Sequence, residues 1–138
     1  MRWIVSISVL FVLSGLFTAC MNQHATSNTA DTGKFGKVTE SKVIGVYKGD
    51  LPCTDCEAIK TVLTLTENKE YVLEYIYVGK SQEAFSKSGK WELSNTELDL
   101  SDLDYRYKVE DKQLRQLDLS GKEIAGELAD RYILRQLP

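Results

Sequence analysis

Residues 59–77 read IKTVLTLTENKEYVLEYIY, two stretches of alternating pattern around a polar break. Residues 59–65 and 71–77 are rich in β-branched and aromatic side chains, and Glu67, Asn68, Lys69 and Glu70 between them supply a turn. The two stretches therefore predict a hairpin. In its second strand Tyr71, Leu73, Tyr75 and Tyr77 share one face, while Val72, Glu74, Ile76 and Val78 share the other. Both faces are fairly apolar, so this strand is expected to be covered on both sides or to line a cavity.

The same period runs outward in both directions. Further strands are expected at 43–48, 88–93 around Trp91, 97–100, 105–109, 113–119 and 132–137. The joints between them are turn-like: Ser94-Asn95, Ser101-Asp102, Glu110-Asp111-Lys112 and Ser120-Gly121. Residues 122–130, KEIAGELAD, read equally as a helix weakened by Gly126 and as a loop. About eight strands in a meander predict an all-β fold, a small antiparallel up-and-down barrel, because closure removes exposed strand edges. A half-open barrel or a sandwich is the alternative.

Three segments precede or make up this domain. Residues 1–19 begin with basic Arg2, continue through an apolar run and end in small residues, the pattern of an export signal. Phe17-Thr18-Ala19-Cys20 resembles a bacterial lipobox, which implies that Cys20 becomes the lipidated first residue of the mature chain. An ordinary cleaved signal and an uncleaved anchor compete with this reading, but Ser14, Gly15 and Thr18 dilute the ~20 apolar residues that a span requires. Residues 20–41 are rich in Asn, Thr, Ser, Ala and Gly and read as a flexible tether, and residues 42–138 as one small domain. The sole histidine, His24, falls on the tether. The domain thus lacks the histidine needed for Ser-His-Asp, Cys-His or His-metal hydrolase sites.

The net charge is −3, and loss of residues 1–19 removes only Arg2, leaving −4. That balance argues against a nucleic-acid partner. Asp102 and Asp104 are the nearest approach to paired catalytic carboxylates, and they lie in an expected turn where solvation is the simpler role. No enzyme is expected.

Chemistry concentrates in residues 49–57, GDLPCTDCE, where Cys53 and Cys56 form a Cys-x-x-Cys pair. A thioredoxin-type couple needs the pair at a helix N-terminus in a βαβ unit, a setting this strand pattern does not supply. Asp50, Asp55 and Glu57 moreover surround the thiols with negative charge, which disfavours thiolate. Structural zinc requires four ligands and only one pair is available. Two readings stay open: a local disulfide, suited to an oxidising compartment, and a copper(I) site on Cys53 and Cys56, since soft copper(I) accepts two thiolates.

The stretch at 45–73, GVYKGDLPCTDCEAIKTVLTLTENKEYVL, resembles the N-terminal domain of the NlpE, or CutF-like copper resistance, family of bacterial outer-membrane lipoproteins. Tyr47, Gly49, Leu51, Pro52, Cys53, Cys56, Ala58 and Ile59 occupy the family's opening motif, and the resemblance extends over residues 43–137. It implies a lipocalin-like barrel facing the periplasm, tethered to the outer membrane by lipid on Cys20, with surface exposure as the other face. It also implies a role in copper homeostasis, surface sensing or envelope-stress signalling through a partner, with Cys53 and Cys56 as the copper site. The second domain of larger family members, with its own cysteine pair, has no counterpart in these 138 residues. Met21 is not the aspartate that resembles an inner-membrane retention signal, which favours the outer membrane. A monomer is expected. A different class of function stays open beside these: a barrel binding a small apolar ligand against Tyr71, Tyr75 and Tyr77, with Cys53–Cys56 only a structural disulfide.

Overall fold

The computed structural model describes residues 38–138. The expected signal segment, Cys20, His24 and the tether up to residue 37 lie outside the described residues. Eight antiparallel strands close into one barrel in sequence order. They are β1 (Gly45–Leu51), β2 (Ala58–Leu65), β3 (Glu70–Val78), β4 (Phe85–Ser94), β5 (Glu97–Leu100), β6 (Tyr105–Glu110), β7 (Gln113–Gln116) and β8 (Ile133–Gln136). The expected closed barrel is adopted and the half-open alternative is not, because β8 returns to β1 and pairs Tyr47 with Gln136 and Lys48 with Arg135.

The β2–β3 hairpin is the longest continuous ladder with its register running from Ala58↔Val78 to Leu65↔Tyr71. Alternation puts Leu63, Leu65, Tyr71 and Leu73 inside and almost inaccessible to solvent. Tyr47, Trp91, Leu98, Leu100, Tyr107, Leu114 and Leu134 complete a filled interior. Each such side chain contributes about 1.5–3 kcal/mol through removal from water.

The two ends of the barrel differ. At one end β2–β3, β4–β5 and β6–β7 are joined by tight turns in which Lys69, Asn95 and Lys112 take positive φ. A short helix, α1 (Glu40–Val43), closes this end: Val43 is fully buried and its carbonyl accepts a 2.9 Å hydrogen bond from the Tyr47 hydroxyl. The Trp91 indole N–H donates to the Thr66 carbonyl beside it. At the other end lie the longer connections 52–57, 79–84, 101–104 and 117–132. Gly49 permits closure near this end, since a Cβ there would fall on the Ile133 carbonyl and 2.9 Å from Leu134 Cδ2.

Three local readings are decided by the structure. Residues 122–130 form a loop, with a Leu117↔Glu123 bridge and a 3-10 turn at Ala129–Arg131, so β7 ends at Gln116 rather than 119. The strand expected at 88–93 begins earlier, at Phe85, because β3 extends past it and offers Tyr75 as a partner. Finally, β3 is not covered on both faces, since Val72 is 37% exposed outside; it meets the alternative expectation, with Leu73, Tyr75 and Tyr77 lining a recess.

Candidate functional site

The Cys-x-x-Cys segment is the loop from β1 to β2 at the long-connection end. Leu51 ends β1 with its side chain in the core, and Pro52, lacking an N–H, stops the ladder there. Cys53 and Cys56 are joined as a disulfide with Cα atoms 5.3 Å apart. Both cysteines are half-buried, whereas Thr54, Asp55 and Glu57 are exposed.

The loop is held against the β3–β4 connection. The Glu57 N–H donates to the Val78 carbonyl at 3.0 Å. Gly79 follows with φ +82°, and a Cβ there would press within 3.1 Å of the Glu57 side chain. Lys80 then forms an ion pair with Asp55, which lowers the Asp55 pKa first through the hydrogen bond and then through charge. Asp55 Oδ1 lies 3.7 Å from Cys53 Sγ. One ligand atom each from Cys53, Asp55 and Cys56 falls within 4.8 Å of the others.

This geometry revises the electrostatics expected from sequence. Asp55 is paired with Lys80, whereas Asp50 and Glu57 have no ion pair among the described residues, so the acidic setting of the sulfurs is offset at Asp55 alone. Asp55 and Lys80 are the site residues that sequence reasoning left without a role. Asp55 carried a signal, its place between the cysteines. Lys80 is 25 residues further along the chain and reaches the loop only through the β2–β3 register.

Beneath the loop the mouth of the barrel contains a recess of about 100 Å³. Leu51, Pro52, Tyr75, Tyr105, Tyr107 and Gln116 are among its walls. Tyr75 stacks on Phe85 at 5.5 Å and meets Tyr77 edge-on at 5.6 Å. Burial raises the Tyr107 hydroxyl far above its ordinary pKa. The Gln116 Oε1 atom is buried without a hydrogen-bond partner among the described residues. Of the three tyrosines expected to form an aromatic face, Tyr71 is packed in the core, while Tyr75 and Tyr77 line this recess. Asp102 and Asp104 lie, as expected, in the exposed β5–β6 turn.

The family model of the NlpE N-terminal domain matches residues 47–127, the loop and most of the barrel. The chain belongs to the NlpE N-terminal domain family. It is similar to the lipoprotein NlpE of Escherichia coli strain K12, with 31% identity over 86 residues. That alignment takes in 59% of this chain and 36% of the relative, so the chain spans about a third of the E. coli protein's length. Among solved structures, a lipoprotein candidate from Shewanella oneidensis is 43% identical with a TM-score of 0.63, covering 67% of this chain and 87% of its own. The crystal structure of the Cpx pathway activator NlpE from E. coli is 30% identical with a TM-score of 0.55, covering 61% and 46%. The NlpE-type barrel is thus shared by sequence and by shape. Among the described residues no helix is long and apolar enough to cross a membrane.

Proposed function

We propose that this NlpE-type chain is a non-enzymatic, lipid-anchored envelope protein whose Cys53–Cys56 loop handles copper and reports envelope stress. The observation that carries the proposal is the placement of both sulfurs and the Asp55 carboxylate within 4.8 Å in a partly accessible loop. As a disulfide the pair offers no thiolate and does not ligate. Reduction by a dithiol breaks the Cys53–Cys56 bond and leaves the donor as the disulfide. The two soft thiolates then suit copper(I), with Asp55 a harder third donor. Lipid on Cys20 would hold the domain at the outer membrane, in the periplasm, as a monomer. Activation of a Cpx-type pathway, the role named for the E. coli relative, would pass through a protein partner.

The filled interior supports this reading over a ligand-binding barrel. The recess at the barrel mouth, about 100 Å³, falls below the ~150 Å³ that admits benzene, and a larger concavity of about 360 Å³ lies against Lys48, Lys60, Val62 and Glu74 rather than against the aromatic face of Tyr71 and Tyr77. Titration of the reduced chain with copper(I) against a competing chelator tests the metal role. One copper per chain is expected, lost in Cys53→Ser and Cys56→Ser; no competition by the reduced chain contradicts it.

A further inference from the structure

The barrel wall is uneven in height between β4 and β5. β4 pairs with β3 from Tyr75↔Phe85 to Glu70↔Lys90, but with β5 only from Trp91↔Leu100 to Ser94↔Glu97. Its first five residues, Phe85 to Gly89, therefore stand above the β5–β6 turn with one side unpaired among the described residues, an edge about 17 Å long at ~3.4 Å per residue. Which backbone groups face that side follows from the alternation of an antiparallel ladder. The Trp91 N–H points toward β3, donating to the Lys69 carbonyl, and the Lys90 carbonyl points away, accepting from Ser101. Counting back by twos, Ser88 and Ser86 present their N–H and C=O groups to the free side. Among the described residues no ladder or turn bond reaches them. The Asp102 carboxylate crowds Gly89 and ends the free edge there.

The side chains along this edge indicate what would pair with it. Lys87 lies opposite Leu73 and so shares the inner face, yet it is exposed and has no ion pair among the described residues. An inward-pointing lysine on an open strand is a device against indiscriminate pairing. It also opposes self-pairing, because an antiparallel copy centred on this edge would set Lys87 against Lys87. Phe85 and Tyr105, 38% and 41% exposed, flank the gap and offer apolar contact.

We propose that the free edge of β4 is a docking site for an extended strand of another protein. That strand adds antiparallel through the Ser86 and Ser88 backbones, with an acidic side chain against Lys87 and an apolar one between Phe85 and Tyr105. Main-chain bonds supply affinity in such strand addition and alternate side chains supply selectivity. The proposal goes beyond the copper reading and does not rest on it.

The test uses the full chain as cells process it, labelled with ¹⁵N, and a capped nine-residue peptide of threonines. The peptide carries glutamate and then leucine at two alternate central positions. Saturable shifts of the Ser86 and Ser88 amides are expected, with at least tenfold weaker binding when lysine replaces the peptide's glutamate. Lys87→Glu is expected to reverse that preference. Ser88→Pro removes an N–H directed away from β3, so the barrel stays folded and the peptide no longer binds. The proposal is overturned if millimolar peptide leaves both amides unmoved, or if Ser88→Pro binds as well as the parent. It is equally overturned if both amides are already protected from exchange in the free chain, whether by the chain itself or by a second copy seen in sedimentation.

Discussion

At the scale of single residues, the chemistry of the candidate site depends on a pairing that neither partner announces alone. Asp55 lies beside the sulfurs, and the Lys80 ammonium holds its carboxyl below the ordinary range near ~3.9. A depressed carboxyl contributes its pairing above the unfolded value and loses it as pH falls through the lower, folded one. A carbon-detected pH titration of Asp55 is therefore expected to show a midpoint below the ordinary value, returning to it in Lys80→Met. An unmoved midpoint in that variant contradicts the pairing. Because both side chains are more than half exposed, the pair acts on loop position rather than on global stability. The disulfide likewise closes a very short loop, so its entropic contribution falls below the ~3 kcal/mol of a fifteen-residue loop. Its physical role is to fix the turn after Pro52.

At the scale of elements, tight turns set the register of one barrel end and long connections build the other. Asn95 holds φ +55° between β4 and β5, a conformation that disfavours branched side chains. Asn95→Val is expected to lower unfolding free energy by about 1–2 kcal/mol in chemical denaturation, and Asn95→Gly to stay close to the parent. Equal stability of the two variants contradicts a turn-set register. The strands themselves were legible because side-chain period two is imposed by one buried face: β5 falls on residues 97–100 as expected, and β2 and β3 differ by one residue at their ends. The early start of β4 was not legible, since Phe85 to Ser88 have no buried face and are strand only because β3 pairs with them. Of the two readings of residues 122–130, helix and loop, the loop holds for the complementary reason. Gly126 takes φ +105° and the segment closes through a bridge to Leu117 rather than through its own turns. The Cys-x-x-Cys position was legible from sequence, whereas its neighbour Lys80 needed the register of a completed hairpin.

At the scale of the whole molecule, a barrel filled by aromatic side chains ties its stability to keeping them neutral. Burial pushes the Tyr47 hydroxyl up to about 12 and that of Tyr107 further. A raised folded pKa gives stability that is complete below the unfolded value of ~10 and is lost as pH rises through the folded one. The barrel is therefore expected to unfold cooperatively above about pH 10, with ionisation of the buried Tyr47 and Tyr107 lagging until the β-sheet circular dichroism collapses. Ionisation of all seven tyrosines with the β-sheet signal intact contradicts a sealed core. The same filled core moves the search for function to the rim, where the Cys53–Cys56 loop, the aromatic recess and the free edge of β4 lie together at the long-connection end.

Whether Cys53 and Cys56 are a working copper site and not only a staple is decided by trapping thiols in cells with and without copper stress. Rapid acid quenching, alkylation and mass spectrometry count the free, bonded and metal-protected states of the two cysteines. A resting disulfide and a copper-dependent rise of the metal-protected dithiol are expected. A pair that stays fully oxidised under both conditions contradicts a copper site and leaves the loop a structural turn.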